Sequence, residues 1–364
     1  MRVRVIEDLD ALLPFRDAWN ALAETGPGAT VFQTFEWLEA WWRIFGARER
    51  LRALLVLDGD TLVAAAPLMT RAARAYGRTV TALTFAGGLQ SDYNDLLYAD
   101  AGALGRLLAA LRSEGGWDLL ELGRIPAASA TPRALAAAFP RWRGVFSTAE
   151  VCPAYVFDAA HDGSDVLGKK SVRRHVRGLE RAGAVAVRHL TRAEDVAGEL
   201  DDFFQQHVER RSVTEAASNF LDPRAGAFYR LLAEGFAAQG WLLFTVVTLD
   251  GKPAAYHYGF VHRRRLVWYK PSFALHLARL SPGEVLLAEL FKYCQAHALA
   301  ELDFTVGDEA FKTRFANVTR RNVSFRAFRS PAVQGMDWAR RRVRAGARRV
   351  PGLPALARRL GRRA

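Results

Sequence analysis

The spacing of apolar positions predicts a helix followed by a β-hairpin near the start of the chain. Residues 31–46, "VFQTFEWLEAWWRIFG", carry large apolar side chains three or four residues apart, the period of an amphipathic helix. These side chains are Phe35, Leu38, Trp42 and Phe45. The following stretch, "LRALLVLDGDTLVAAAPLM", has two apolar runs joined by Asp58-Gly59-Asp60, and Asp-Gly in that position predicts a hairpin turn.

The same pattern returns about 190 residues later. "WLLFTVVTLDGKPAAYHYGF" again places Asp-Gly between two apolar runs, and a helical stretch precedes it at about 195–211. Further helical stretches follow the hairpins, at 102–114 and 283–297, and each leads to a short apolar strand, "GWDLLELG" or "LAELDFTVG". The chain therefore reads as two copies of one unit in which helices flank a mixed, mostly antiparallel sheet, an α+β fold.

We place the predicted boundaries at 1–155 for the first unit, 156–330 for the second and 331–364 for a basic tail. The net charge of +13 is concentrated in that tail, which has ten Arg and one Asp and so carries +9. The tail suits attachment to an anionic membrane surface and equally suits a solvated segment. Nucleic acid is a weaker candidate partner, since the tail from Ala339 onward has no aromatic side chain for stacking. Only six of the 51 basic residues are Lys, so genome composition is an alternative source of the Arg bias.

The remaining composition predicts a cytoplasmic protein without a metal site. No apolar run approaches the roughly 18–20 residues that cross a bilayer, and acidic residues interrupt the first fifteen positions, where a signal peptide would be apolar. The two cysteines, Cys152 and Cys294, have no CxxC spacing and no nearby His in a zinc-binding pattern. We expect both to be buried and unpaired, and we expect any membrane contact to be peripheral, at the inner membrane.

A basic helix is predicted at the start of the second unit, in "GKKSVRRHVRGLERAGAVAVR". An apolar stripe of Val172, Val176 and Leu179 is surrounded by Lys and Arg, and Gly183 ends the helix. The basic residues form either a solvated surface or a docking surface for phosphate or another anion, with Arg173 as a candidate substrate contact.

The start of the helix predicted at 283–297 has the features of an anion site. Ser281 suits the N-cap, Pro282 suits the first helical position, and Glu284 completes a capping box with Ser281. Gly283 leaves the first backbone N–H groups unshielded. Such groups, together with the positive end of the helix dipole, bind diphosphate.

Two further segments carry candidate chemistry. In "TVGDEAFKTRFAN", Asp308 and Glu309 favour a helix start, while Glu309 and Lys312 at i, i+3 form a pair that would position an acceptor or tune a base. In "GGLQSDYNDLLY", Asp92 and Tyr93 suit the binding of a sugar or an amine, although an Asx-type turn before a strand explains them equally well.

These segments, taken in order, resemble a known family. "VFQTFEWLEAWWRIFG", "LTFAGGLQSDYNDLLYAD", the basic helix, "WYKPSF" with "LSPGEVLLAELF", and "DFTVGDEAFKTRF" are similar to bacterial GNAT-fold acyltransferases of the CelD-type cellulose-biosynthesis proteins, distantly similar to FemAB/FemX transferases. The resemblance covers about 30–330. It implies tandem GNAT folds with an acyl-CoA (acetyl-CoA) site in the second, where pantetheine lies between two splayed strands and the diphosphate rests on Ser281, Pro282 and Gly283.

Acyl transfer to an amine needs a base, an oxyanion donor and a proton for the leaving thiolate. Backbone N–H groups of "LVWYKPSF" are candidate oxyanion donors, and His257 is a candidate base if it turns into the cleft and does not stay buried. The family pattern usually has Tyr where this chain has Phe311, so Tyr269, Tyr256 or Tyr258 would have to replace the missing phenol.

The function expected from these observations is an N-acyltransferase that moves an acetyl or other acyl group from acyl-CoA to an amine of a sugar or cell-envelope polysaccharide precursor. The envelope part rests on the family resemblance. A FemAB-like transferase that uses aminoacyl-tRNA and a non-catalytic GNAT-fold binding protein are the alternatives.

Overall fold

The structure, a computed structural model, describes residues 1–139, 144–214 and 217–348. The first half contains four α-helices and nine strands in these described parts. The helices are α1 (Arg16–Thr25), α2 (Phe35–Phe45), α3 (Ala101–Ser113) and α4 (Thr131–Ala138). The strands are β1 (Arg2–Ile6), β2 (Arg50–Leu51), β3 (Ala53–Asp58), β4 (Thr61–Ala66), β5 (Leu68–Ala75), β6 (Arg78–Phe85), β7 (Leu97–Tyr98), β8 (Leu119–Pro126) and β9 (Gly144–Val156).

The second half continues the numbering. Its helices are α5 (Ser164–Leu167), α6 (Lys170–Ala182), α7 (Ala193–Ala197), α8 (Leu200–Ser212), α9 (Pro223–Ala238), α10 (Pro282–Ala296), α11 (Ala310–Phe315) and α12 (Pro331–Arg348). Its strands are β10 (Val185–Leu190), β11 (Leu242–Leu249), β12 (Lys252–His262), β13 (Arg265–Phe273), β14 (Glu301–Asp303) and β15 (Val318–Phe328).

The two halves repeat one topology, as the sequence pattern predicted. Each contains an antiparallel hairpin that turns at an Asp-Gly, β3–β4 in the first half and β11–β12 in the second. Each also places one helix between two parallel strands, α3 between β6 and β8, and α10 between β13 and β14. The other strand pairs are antiparallel, so the predicted mixed, mostly antiparallel α+β fold is confirmed.

The last strand of each half lies beside the parallel strands of the other half. The larger sheet has the order β10-β11-β12-β13-β14-β9-β15-β8-β6-β5-β2, and a second sheet has the order β1-β3-β4-β7. Thus β9 pairs with β14, and β15 pairs with β8 as well as with β9. This reciprocal exchange makes one continuous eleven-stranded sheet through the middle of the molecule.

Aromatic side chains from both halves fill the core between α2 and α9. The ring of Trp37 contacts Phe32 and Tyr269 as well as Phe228 and Phe260, with ring centroids 4.7–6.0 Å apart. Edge-on contacts of this kind add to the free energy gained by burying the rings. Cys152 and Cys294 are buried and unpaired, as expected from their spacing.

Two helix predictions need correction. The helix predicted over 31–46 begins at Phe35, because Val31–Gln33 form a separate 3₁₀ turn capped by Thr30. The helix predicted at about 195–211 is two helices, α7 and α8, which are separated near Gly198.

The predicted basic tail begins with a continuous helix, α12, and the two prolines that predict a break, Pro351 and Pro354, come after it. Its first turns pack on the fold, where the Gln334 side chain accepts a 2.8 Å hydrogen bond from the backbone N–H of Phe328. Pro351 and Pro354 lie outside the described residues. Within the described residues, no helix is both long and apolar enough to cross a membrane.

Candidate active site

The candidate site is a cleft that opens where β13 and β14 separate. The two strands pair in parallel from Arg265 and Glu301 to Val267 and Asp303. Beyond that point β13 continues to Phe273, whereas β14 ends at Asp303. The chain on either side of the gap and the start of α10 enclose a cavity of about 550 Å³.

Residues from five places line this cleft. They come from the free end of β13, the end of α8, the turn before α10 with the start of that helix, the segment from β14 to α11, and the loop that follows β6 in the first half. The lining residues are Asp92, Arg210, Arg211, Trp268, Tyr269, Lys270, Pro271, Ser272, Phe273, Ala278, Ser281, Gly283, Glu284, Thr305, Val306, Glu309, Phe311 and Lys312. Seven predicted site residues are therefore brought together: Asp92, Tyr269, Ser281, Gly283, Glu284, Glu309 and Lys312.

The start of α10 faces the cleft, but it is not capped as the sequence predicted. Ser281 adopts a left-handed conformation (φ 53°, ψ 51°), and its side chain makes no capping hydrogen bond. The Glu284 carboxylate bonds His175 at 2.9 Å and pairs with Arg314, so it does not complete a capping box. The prediction of a capping box formed by Ser281 and Glu284 is therefore wrong. Pairing with Arg314 offsets the negative charge of Glu284, which leaves the helix start suited to an anion.

The acid-and-lysine turn adopts the pairing that its spacing predicted. The Lys312 ammonium lies 3.1 Å from a Glu309 carboxylate oxygen and donates a 2.7 Å hydrogen bond to the Val306 carbonyl. Gly307, with φ 140°, allows this arrangement, since a Cβ there would lie 2.6 Å from the Lys312 Nζ and 2.0 Å from a Glu309 oxygen. Asp308 is exposed in the same turn and does not line the cleft.

Asp92 reaches the cleft on a loop that packs tightly against the core. The indole N–H of Trp37 donates to the Ser91 hydroxyl at 2.8 Å, and that of Trp41 donates to the Gln90 side chain at 3.1 Å. The Asp92 carboxylate lies 3.5 Å from the Arg124 guanidinium. The first half therefore supplies one wall of a cleft built mainly from the second half.

His257 is placed outside the cleft. Its ring is completely buried, stacks on Trp268 with centroids 5.1 Å apart, and accepts a hydrogen bond from the backbone N–H of Tyr269 at 3.3 Å. Burial lowers the pKa of His257 to about 3, so its imidazole is neutral near pH 7. The geometry favours the buried, structural interpretation of this residue. The Tyr269 N–H is therefore already bonded and is not a free oxyanion donor.

The tyrosine hydroxyls considered as replacements for the missing phenol are bonded within the protein. Tyr269 donates to the Gln90 carbonyl at 2.6 Å, Tyr258 donates to the Tyr229 carbonyl at 2.7 Å, and Tyr256 donates to a Glu199 carboxylate oxygen at 3.0 Å. Burial raises the pKa of the Tyr269 phenol well above its ordinary value. Tyr269 contributes to the wall of the cleft, but its hydroxyl points into the core.

Three other predicted residues lie away from the cleft lining. Tyr93 is buried and donates a 2.7 Å hydrogen bond to Asp303. Pro282 is buried at the first position of α10, and Arg173 is exposed on α6.

The sequence prediction missed four residues that line the cleft: Arg210, Arg211, Trp268 and Lys270. Lys270 had a usable signal, because it is one of only six lysines and lies in the quoted "WYKPSF". The two arginines end α8 with no distinguishing pattern.

The cleft wall is rich in cations. The Arg210 guanidinium donates to the Pro271 carbonyl at 2.7 Å and lies 4.7 Å from the centre of the Phe273 ring. Burial lowers the pKa of Arg210 to about 10, so it remains positively charged near pH 7. Within the parts of the chain that the structure describes, three or more metal-binding side chains do not cluster anywhere. The positively charged side chains of the cleft lining suit an anionic ligand.

Comparisons with known proteins identify the domain and the fold. Residues 168–313 match the family model described as "Acetyltransferase (GNAT) domain". A search of curated protein sequences found no match.

Solved structures match nearly the whole chain at low identity. The crystal structure of FemX is 10% identical and matches with a TM-score of 0.62 over 92% of this chain and 99% of that one. The C-terminal domain of a putative lysylphosphatidylglycerol synthetase from Agrobacterium fabrum is 11% identical, with a TM-score of 0.57 over 89% of this chain and 94% of that one. L-PGS from Bacillus licheniformis is 11% identical, with a TM-score of 0.51 over 88% and 94%.

These matches confirm the predicted GNAT fold and its distant likeness to the fold of FemX, whereas the CelD-type assignment stays a prediction. A GNAT domain within a fold of this kind indicates an acyltransferase-type enzyme. The chain has a tandem GNAT fold, and residues 168–313 in its second half match the GNAT domain model.

Proposed function

We propose that the protein is an N-acyltransferase that takes an acetyl or other acyl group from acyl-CoA and transfers it to an amine of a sugar or cell-envelope polysaccharide precursor. The observation that carries this proposal is the cleft between β13 and β14, which runs to the start of α10. A cleft between strands accommodates an extended chain such as pantetheine, and a helix start accommodates its diphosphate.

The residues at the α10 start fit that group. Gly283 adds no side chain, and Ser281 leaves the first amides uncapped. Arg210 and Arg211 add positive charge at the end of α8. Acyl-CoA would supply the activated thioester, while the protein residues hold and orient the reacting groups.

Two other features support the acceptor side of the proposal. Asp92 places a carboxylate in the cleft, where it suits contact with an amine or a sugar hydroxyl. The similar structure from Agrobacterium fabrum is named as a putative lysylphosphatidylglycerol synthetase, and lysylphosphatidylglycerol is a membrane lipid, which supports an acceptor in the cell envelope.

Calorimetric titration with CoA tests the donor. We expect Gly283→Glu to weaken CoA binding at least about tenfold, because it adds a negative charge where the diphosphate would lie. Gly105→Glu is the matched control, since Gly105 is exposed on α3 and a Cβ there has no neighbour within 4 Å. Absence of CoA binding to the unaltered protein would exclude acyl-CoA as the donor.

An aminoacyl-tRNA donor is the second candidate, and the basic surface of α6 favours it. Arg173, Arg174 and Arg181 are exposed on this helix, which packs against α10 beside the cleft. An RNA ligand would bind such a surface with strong salt dependence. Tight tRNA binding that weakens with salt and is lost in the Arg173→Glu, Arg174→Glu double variant, together with no CoA binding, would support this donor.

A further inference from the structure

Lys270 lies at the centre of the cleft, on the part of β13 that has separated from β14. Its ammonium is 4.4 Å from the centre of the Tyr269 ring. Among the described residues, no carboxylate or carbonyl oxygen lies within hydrogen-bonding or ion-pairing distance of Lys270 Nζ. A partly buried lysine without an oxygen partner is unusual, because desolvation of an ammonium is costly.

Most of the other titratable side chains of the cleft already have partners. Lys312 is held by Glu309 and the Val306 carbonyl. Glu284 pairs with His175 and Arg314. Asp92 lies beside Arg124, and the Tyr269 hydroxyl is bonded to the Gln90 carbonyl. In the described cleft lining, the side chains of Lys270 and Arg211 have no oxygen partner, and of these two only the lysine readily loses its proton.

The surroundings of Lys270 favour its neutral form. Burial lowers the pKa of Lys270, and the nearby positive charges act in the same direction, while the Asp92 carboxylate opposes them. The charged and titratable groups that face it from the neighbouring elements are Asp92, Arg124, His207, Arg211 and Lys312. Lowering the pKa of a lysine raises the fraction of its amine that is neutral, and so able to accept a proton, at a given pH.

We propose that Lys270 is the catalytic residue that carries the proton from the acceptor amine to the leaving group. This inference rests on the proposed acyl transfer. The neutral acceptor amine attacks the acyl carbonyl carbon, a C–N bond forms, and the C–S bond of the thioester breaks. Neutral Lys270 takes the proton that the amine nitrogen loses and then gives it to the thiolate. The products are an amide and a free thiol, and Lys270 returns to its starting state.

This assignment explains how the site manages with Phe311. Phe311 lines the cleft and its ring lies 5.8 Å from Trp268, but it has no proton to donate. His257 and the three tyrosine hydroxyls point elsewhere. Lys270 supplies on β13 the proton donor that a phenol at position 311 would supply on α11.

The first test measures protonation and needs no turnover. Competitive acetylation of the whole protein with acetic anhydride, followed residue by residue with mass spectrometry from pH 6 to 11, gives the titration midpoint of Lys270. Acetylation of the exposed Lys252, measured in its own peptide, serves as the internal reference for the reactivity of the anhydride. We expect a midpoint below the ordinary lysine value of about 10.4. A midpoint at or above that value would overturn the proposal, because Lys270 would then be an ammonium throughout the working range.

The second test separates proton transfer from binding. With acetyl-CoA and D-glucosamine as probes, thiol release is followed for Lys270→Gln, Lys270→Arg and the surface control Lys252→Gln. We expect kcat to fall about 100-fold or more in both Lys270 variants with little change in KM, since Arg keeps the charge but stays protonated. A raised KM with unchanged kcat, or rescue by Arg, would make Lys270 a binding residue and overturn the proposal. If CoA fails to bind, the acyl-CoA donor is wrong, whereas the titration of Lys270 is still decided by the first test.

Discussion

The hydroxyl of Tyr93 donates a 2.7 Å hydrogen bond to the carboxylate of Asp303 and joins the two halves at the point where β13 and β14 separate. Both side chains are buried, with 6% of Tyr93 and 1% of Asp303 exposed. Asp303 also accepts a 2.8 Å hydrogen bond from the Thr305 backbone N–H, which turns the chain away from β13. The bond therefore supports the geometry of the cleft.

Replacement of Tyr93 by Phe removes this donor and keeps the ring. Because the Asp303 carboxylate is then left buried with one partner fewer, we expect the free energy of unfolding to fall by about 1–3 kcal/mol. Urea denaturation measures the change. Tyr293→Phe is the control, since the Tyr293 hydroxyl on α10 makes no hydrogen bond to the described residues. Equal stability of the two variants would contradict the role assigned to the Tyr93 bond.

Gly307 tests whether backbone conformation maintains the Glu309–Lys312 pair. Ala at this position must adopt φ near 140° and place a methyl group 2.6 Å from the Lys312 Nζ. We expect Gly307→Ala to destabilise the protein by more than about 1 kcal/mol in urea denaturation. Gly59→Ala is the control, since Gly59 also has a positive φ (58°) but a Cβ there has no neighbour within 4 Å. A similar loss in both variants would show that the pair adds no constraint.

The sequence predicted the fold well because its signals were local and repeated. Asp58-Gly59 and Asp250-Gly251 each turn a hairpin, and the helical periods around 102–114 and 283–297 match α3 and α10. The exchange of β9 and β15 between the halves was not predicted. Strand partners depend on contacts between distant parts of the chain, which a local pattern does not specify.

The site was predicted in part for a related reason. Glu309 and Lys312 were found because their pairing is local to one turn. His257 was a candidate base only if it turned into the cleft, and burial was the alternative. The structure favours burial: the ring stacks on Trp268, next to a register shift between β12 and β13 near Tyr258. Lys270 lies in the segment "WYKPSF" but was not predicted as a site residue, because its lack of an oxygen partner is a property of the folded structure and not of the sequence.

Phe311→Tyr tests whether the site needs a phenol at position 311 as a proton donor. If Lys270 carries the proton, we expect the added hydroxyl to change kcat by less than about tenfold in the unaltered background. In the Lys270→Gln background it should recover part of the lost kcat, since a phenol of ordinary pKa, about 10, can protonate a thiolate. Thiol release from acetyl-CoA with D-glucosamine measures both. An increase of about 100-fold in the unaltered background would show instead that the site lacks a proton donor.

The buried imidazoles of His207 and His257 predict that the protein loses stability on mild acidification. Burial lowers the pKa of each to about 3, whereas an imidazole in the unfolded chain has a pKa near 6.5. Between these values the unfolded chain binds more protons, so the free energy of unfolding falls as pH falls, by up to about 1.4 kcal/mol per pH unit for each group. Asp95 acts in the opposite direction, because burial raises its pKa to about 6 and the folded state then binds the extra proton.

Burial also lowers the pKa of His262, to about 3, and that of His189, while it raises the pKa of the Asp303 and Glu24 carboxyls. Because the lowered imidazoles outnumber the raised carboxyls, we expect lower stability at pH 5 than at pH 7 in urea denaturation.

His257→Gln should be less stable at pH 7, because the Tyr269 N–H loses its present acceptor, yet it should show a shallower dependence on pH. His276→Gln is the control, since His276 is exposed and its replacement should leave the dependence unchanged. A pH dependence equally steep in the His257 variant would mean that this imidazole is accessible to protons in the folded protein, and the base excluded by its burial would return as a candidate.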